Sequence, residues 1–173
     1  MENRRQGESV DQGEARRTFG DVLAMYDLRS VDGRQVIDVA AELLAAGIDG
    51  PAVVDLASMP VTPLTSPFEV DARVASAREE LGMPPLSLEA LASRAAQGQL
   101  RRWQQGLLTD RGIASWAHEA IGHDGPQALQ ELVVMDDMLD ELPYIDATPD
   151  SIHADIGAIA ATCLDFSDPW AGG

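Results

Sequence analysis

Apolar residues recur every three or four positions along most of this chain, in short segments that prolines and glycines separate. After Arg34, for example, five apolar side chains share one helical face before Gly47 interrupts the pattern: Val36, Ile37, Ala40, Leu43 and Leu44. Alternation of apolar and polar residues, which would indicate a strand, never extends beyond about five positions. The pattern therefore predicts an all-α fold, an irregular bundle of five to seven helices.

Local sequence features indicate where helices begin and which part of the chain folds. Ser-Pro-Phe-Glu at 66–69 has the form of a capping box with proline in the first helical turn, and Thr109 is a typical N-cap residue. Residues 1–18 are polar and offer almost nothing to bury, so we expect a flexible N-terminal tail there. The remaining residues, 19–173, have the length of a single helical domain.

The charge of the chain excludes several classes of function. There are 29 acidic side chains against 12 basic ones, all of them arginine, so the lysine-free chain has a formal net charge of -17. Lysine chemistry and the P-loop lysine are therefore excluded, and direct nucleic-acid binding, which needs clustered cations, is not expected. Residues 1–109 contain 16 acids and 11 arginines, for -5, whereas residues 110–173 contain 13 acids and only Arg111, for -12. The C-terminal third carries most of the charge.

Cysteine content and hydropathy narrow the class of protein further. Cys163 is the one cysteine, which excludes an internal disulfide and a cysteine-rich zinc site. No apolar run approaches the roughly 20 residues of a membrane span, and the charged N-terminus lacks the apolar core of a secretory signal. We therefore expect a cytoplasmic protein with no membrane partner, no cofactor and no catalytic residues, its oligomeric state left open.

The densest acidic cluster is Asp-Asp-Met-Leu-Asp-Glu at 136–141. Written as DDxxDE, it resembles the magnesium–diphosphate motif of isoprenoid and terpene synthases, and Asp136 and Asp140 share one helical face. Those enzymes need a longer chain to enclose a prenyl group and a second metal-binding motif, and this sequence has neither. The cluster therefore fits a solvated helix face better than a diphosphate site.

The helical phase of this segment predicts a binding surface. At about 100° per residue, one arc of the helix contains the apolar residues Ala128, Leu132, Met135, Leu139 and Leu142. The acids lie on the opposite side, with two apolar residues among them. Acids this dense repel one another and weaken the helix. A surface that keeps them at that cost is plausible as a binding site for a cationic protein partner. We therefore predict a partner-binding surface made of Leu129, Val133, Asp136, Asp137, Asp140 and Glu141.

Two histidines flank a four-residue segment, His118-Glu-Ala-Ile-Gly-His123, which looks like a zincin motif but is one residue too long. Two ligands on one helix need a spacing of four residues, because a spacing of five separates them by about 140° around the axis. Gly122 is expected to end the helix, after which His123 could turn back toward His118. We nevertheless expect a polar helix end here and no metal site.

Two stretches resemble known proteins. The segment Leu107–Trp116, with a turn at Gly106–Thr109 and an aromatic residue at its end, precedes the acidic stretch Leu129–Glu141. Together they are similar to small helical bacterial immunity proteins of the colicin D type. The segment Trp116–His123 also resembles uncharacterised helical proteins of actinobacteria. The first resemblance implies that the chain binds a cationic nuclease toxin, with its acids occupying the toxin's tRNA-binding cleft.

The leading hypothesis is a non-enzymatic, acidic protein-interaction module, an immunity or antitoxin protein that binds and blocks a basic partner such as a nuclease toxin. One alternative is a metal-dependent hydrolase that uses the carboxylates of Asp136, Asp137 and Asp140 with His118 or His123. Another is a homo-oligomeric structural component.

Overall fold

The computed structural model describes residues 2–62, 65–165 and 170, with side chains from residue 12 onward. Eight α-helices and a short 3-10 helix, with no strand, occur in these described ranges. The α-helices are α1 Glu2–Asp27, α2 Gly33–Ala45, α3 Pro51–Ala57, α4 Pro67–Glu80, α5 Leu88–Gln104, α6 Asp110–Ala120, α7 Gln130–Glu141 and α8 Pro149–Leu164, with the 3-10 turn Gln127–Leu129 before α7. The all-α class is confirmed, with one helix more than the upper expected number.

The helices separate into two compact units, where the sequence predicted a single domain over residues 19–173. The first contains the described residues up to 85 together with residue 170, and the second contains residues 86–165. None of the described helices is long and apolar enough to cross a bilayer.

In the first unit, each of the helices α1 to α3 packs on the helix that follows it. The largest fully buried side chains of this unit are Phe19, Leu23, Met25, Val36, Leu43 and Leu56. Residues 2–18, which we expected to form a flexible tail, belong to α1, and the Arg16 guanidinium donates to the Leu81 carbonyl at 2.8 Å. The tail prediction is therefore corrected for residues 12–18, because an arginine can anchor a segment that has few apolar residues. Residue 1 and the side chains of residues 2–11 lie outside the described part of the chain.

Several helix ends follow the local sequence. The hydroxyls of Ser87 and Thr109 accept hydrogen bonds from the amides of Ala90 and Gly112, at 3.3 and 3.0 Å. These bonds satisfy amide groups that have no partner inside the helix. Ser66 precedes α4 as expected, but its side chain makes no capping hydrogen bond, so the predicted capping box is not formed.

In the second unit, α7 lies between neighbours on two sides. It packs chiefly on α6 and also contacts α8, which contacts α5 as well. The largest fully buried side chains here are Leu100, Ile113, Leu129, Leu132, Ile152 and Ile156. This packing brings one face of α6 against the acidic residues of α7.

Candidate functional site

The acids of α7 face the one arginine of the C-terminal third. Arg111 Nη1 donates to Asp136 Oδ1 at 3.3 Å and to Asp140 Oδ1 at 2.6 Å, and Ser115 Oγ donates to the same Asp136 oxygen at 2.7 Å. The hydrogen bond to Asp140 raises the pKa of the Arg111 guanidinium above its already high ordinary value, so this cation stays charged. Asp136 and Asp140 therefore share a cation, which is the Arg111 guanidinium. This contact occupies two of the three carboxylates that the hydrolase hypothesis assigns to a metal.

Beside this network, two imidazoles and a carboxylate come together. His118 Nδ1 lies 3.6 Å from Asp137 Oδ1, and His123 Nε2 lies 3.6 Å from Asp137 Oδ2. The two rings meet edge to face, with their centroids 5.0 Å apart. One potential ligand atom from each of the three residues lies within 4.8 Å of the other two. Within the part of the chain that the structure describes, this is the one group of three such side chains.

The expected helix end is confirmed, and because it lies between His118 and His123, the two rings do not diverge. The angle of 140° applies only to a continuous helix, whereas α6 ends at Ala120. Gly122 then adopts a φ of +68°, a left-handed conformation that glycine reaches without a steric penalty. The chain turns there, and His123 returns toward the ring of His118.

The turn that carries His123 is held from two directions. Gln130, the first residue of α7, donates through Nε2 to the carbonyls of Gly122 and Gly125, at 3.1 and 3.2 Å. A Cβ atom at Gly125 would lie 2.4 Å from the Ile121 side chain and 2.8 Å from its carbonyl oxygen. Since a side chain at Gly125 would collide with Ile121, the turn requires glycine at this position. The position of His123 is therefore defined by contacts of the backbone around it.

Asp136 lies beside the other histidine, His118. Its Oδ2 atom lies 3.3 Å from His118 Nδ1, while its Oδ1 atom accepts from Ser115. The Nδ1 atom of His118 is buried, yet it makes no hydrogen bond of good geometry to a described residue. It therefore lies between two carboxylates, those of Asp136 and Asp137, without a hydrogen bond to either.

The apolar residues predicted to contact a partner are in the core instead. Leu129 and Val133 are fully buried, whereas Ala128, which the helical phase placed in the core, is exposed. For Val133 the reason is that α7 contacts both α6 and α8, so its buried face is wider than one arc. Ala128 and Leu129 lie in the 3-10 turn before α7, where a step of about 100° per residue does not apply. The large apolar side chains exposed near the acids are Val134, at 41%, and Tyr144, at 88%.

A second polar group joins three helices of the same unit. Asp110 Oδ1 accepts from Trp103 Nε1 at 2.7 Å and lies 2.9 Å from His153 Nδ1. The rings of Trp103 and His153 have centroids 5.0 Å apart. Because these residues belong to α5, α6 and α8, the group ties the ends of the helices together, a role that spacing along the chain did not indicate.

The first unit contains a cavity with a buried phenol at its wall. The cavity has a volume of about 490 Å³, and its lining includes Tyr26, Asp71, Val74 and Met83. Tyr26 donates through its hydroxyl to Asp71 Oδ1 at 2.6 Å. Burial, together with this hydrogen bond and the charge of Asp71, raises the pKa of Tyr26 to about 12. The phenol therefore stays protonated, and the bond is a structural tie between α1 and α4.

No protein-family model, curated protein or solved structure matches this chain. The resemblance to immunity proteins of the colicin D type therefore stays a prediction. The function has to be inferred from the charges and contacts of the second unit.

Proposed function

We propose that this protein binds a basic protein through the acidic surface at the end of α7, and that it blocks that partner as an immunity protein or antitoxin blocks a nuclease. The observation that carries the proposal is the charge of residues 110–173, which is -12 out of a total of -17. The only arginine in this part of the sequence, Arg111, is already bound to Asp136 and Asp140. The remaining negative charge is therefore available to a partner.

The side chains at the end of α7 suit a protein interface. Asp140 is largely exposed, and Glu141 and Asp146 are exposed as well. Between them, Tyr144 exposes 88% of its surface. Tyrosine is enriched among the residues that contribute most to protein–protein binding, because its ring buries a large area and its hydroxyl still forms a hydrogen bond. Tyr144 thus takes the anchoring role that the sequence assigned to Leu129 and Val133.

The charge has a defined physical effect on association. A field of one sign steers an oppositely charged protein into contact and raises the association rate, and salt screens it over about 8–10 Å. Charges at the edge of an interface change mainly the association rate, whereas a buried aromatic anchor changes mainly the dissociation rate. The two contributions can therefore be measured separately.

The test measures binding to a basic nuclease encoded next to this protein in its genome, by surface plasmon resonance at low and high salt. Reversing two acids, Glu141→Arg with Asp146→Arg, should lower the association rate about tenfold at low salt and much less at high salt. Tyr144→Ala should raise the dissociation rate about 30-fold, the equivalent of about 2 kcal/mol. The same variants should release the nuclease from inhibition.

A matched control reverses two exposed acids of the first unit, Glu42→Arg with Asp49→Arg. Each reversal changes the charge by +2, so both double variants have a net charge of -13 instead of -17. If the control slows association as much as the α7 variant, the partner responds to the total charge and the proposed surface is wrong. Size-exclusion chromatography of the free protein tests the homo-oligomer hypothesis in the same preparation.

A further inference from the structure

We propose that His118, His123 and Asp137 together bind one divalent transition-metal ion, of which Zn²⁺ is the simplest example. The site is independent of the protein partner proposed above. Its three ligands come from the end of α6, the turn after it and the middle of α7. An ion bound there would link these three segments of the second unit.

The distances between the ligand atoms fit such an ion. With Zn–N and Zn–O bonds of 2.0–2.2 Å, the ligand atoms of a tetrahedral site lie about 3.3 Å apart. His118 Nδ1 and His123 Nε2 each lie 3.6 Å from Asp137, from different oxygens of its carboxylate, and one ligand atom of each residue lies within 4.8 Å of the other two. Side-chain rotations would bring the three ligand atoms to the closer spacing that an ion requires.

The chemistry of the ligands selects the class of metal. Two imidazoles with one carboxylate favour Zn²⁺, Co²⁺, Ni²⁺ or Fe²⁺, whereas Mg²⁺ and Ca²⁺ prefer sites made of oxygen atoms alone. With both rings neutral, the three ligands have a net charge of -1, which lowers the free energy of a dication. All three side chains are partly exposed, so water reaches the site and supplies the remaining ligands.

One ring nitrogen at the site has no hydrogen-bond partner among the described residues. His118 Nδ1 is buried between the carboxylates of Asp136 and Asp137 without a hydrogen bond of good geometry to either. A metal ion fits this arrangement, since it would bind the nitrogen and supply the positive charge that the carboxylates face.

The surroundings order part of the site without an ion. Asp136 Oδ2 lies 3.3 Å from His118 Nδ1, the nitrogen that also faces Asp137, and Asp136 is itself held by Ser115, so a second carboxylate lies beside the proposed site. Gln130 fixes the turn that carries His123. The binding free energy is therefore not consumed in ordering the chain.

The test is Zn²⁺ binding to the full chain, measured by isothermal titration calorimetry in buffer with excess Mg²⁺, so that sites made only of carboxylates are already filled. We expect one ion per chain, and a Co²⁺ complex with the visible absorption of tetrahedral coordination. His123→Gln and Asp137→Asn should each weaken binding at least about tenfold. Both positions are partly exposed, so circular dichroism should show the same helix content for the variants as for the original chain.

Two control variants change residues of the same unit. His153→Gln removes the histidine that contacts Asp110, and Glu141→Gln removes an exposed carboxylate of α7; each should change Zn²⁺ affinity less than about twofold. The proposal is overturned if the original chain binds no Zn²⁺ under these conditions, or if a control weakens binding as much as His123→Gln does. Neither result affects the protein-partner proposal, whose variants leave His118, His123 and Asp137 intact.

Discussion

The sharpest test of how the second unit is packed is alanine substitution at two neighbouring valines of α7. Val133 is fully buried, whereas 41% of Val134, the next residue, is exposed. Valine to alanine removes two carbon atoms, which is about 1.6 kcal/mol at about 0.8 kcal/mol per buried group, and the cavity left behind adds to it. Val133→Ala should therefore lower the free energy of unfolding by about 2–3 kcal/mol. Val134→Ala should change it by about 0.5 kcal/mol or less, because higher helix propensity offsets the small loss of burial.

The assay is urea unfolding followed by circular dichroism and tryptophan fluorescence, with the slope m compared between variants. A loss of 2–3 kcal/mol corresponds to a Tm lower by about 5–10 °C for a chain of this length. The two substitutions have identical chemistry on one helix, so their difference measures burial alone. If both cost the same, or if Val133→Ala costs less than about 0.5 kcal/mol, then α7 is not packed between α6 and α8 and Val133 is a surface residue.

Two further predictions concern titratable side chains. Tyr26 has a pKa raised from 10.0 to about 12 in the folded state, so its contribution to stability is complete below pH 10 and is lost as the pH rises toward 12. Two pKa units correspond to about 2.7 kcal/mol, and solvent at the cavity wall reduces this to about 1–2 kcal/mol. Urea unfolding between pH 10 and 12 should show this loss of stability, and Tyr26→Phe should abolish the pH dependence. Burial, and secondly the charge of Glu131, raises the pKa of the Cys163 thiol, so a thiol reagent should modify Cys163 slowly in the folded protein and rapidly in denaturant. Fast modification of the folded protein would show that the helices packed on α8 do not cover this residue.

The start and end of individual helices were largely predictable because they depend on neighbours in the sequence. Thr109 caps α6 through its own side chain, and Gly122 ends that helix through its own backbone freedom. The residues that face the core were predicted less well. A helical projection assumes one continuous α-helix with one buried face, and it placed Leu129 and Val133 on the exposed side. Both are fully buried, because Leu129 lies in a 3-10 turn and α7 packs on both α6 and α8.

The candidate site likewise combines features that the sequence predicts with contacts that only the folded structure shows. The sequence by itself determined the all-α class, several helix ends and the concentration of negative charge after residue 109, because each depends on composition or on residues a few positions apart. Only the tertiary structure decided which side chain each acid meets. It paired Asp136 and Asp140 with Arg111, more than 20 positions away, and placed Asp137 between two histidines. The turn at Gly122 brings His123 back beside His118, and the packing of α6 on α7 brings both rings to Asp137. These contacts depend on how two helices lie in space, which spacing along one helix does not specify.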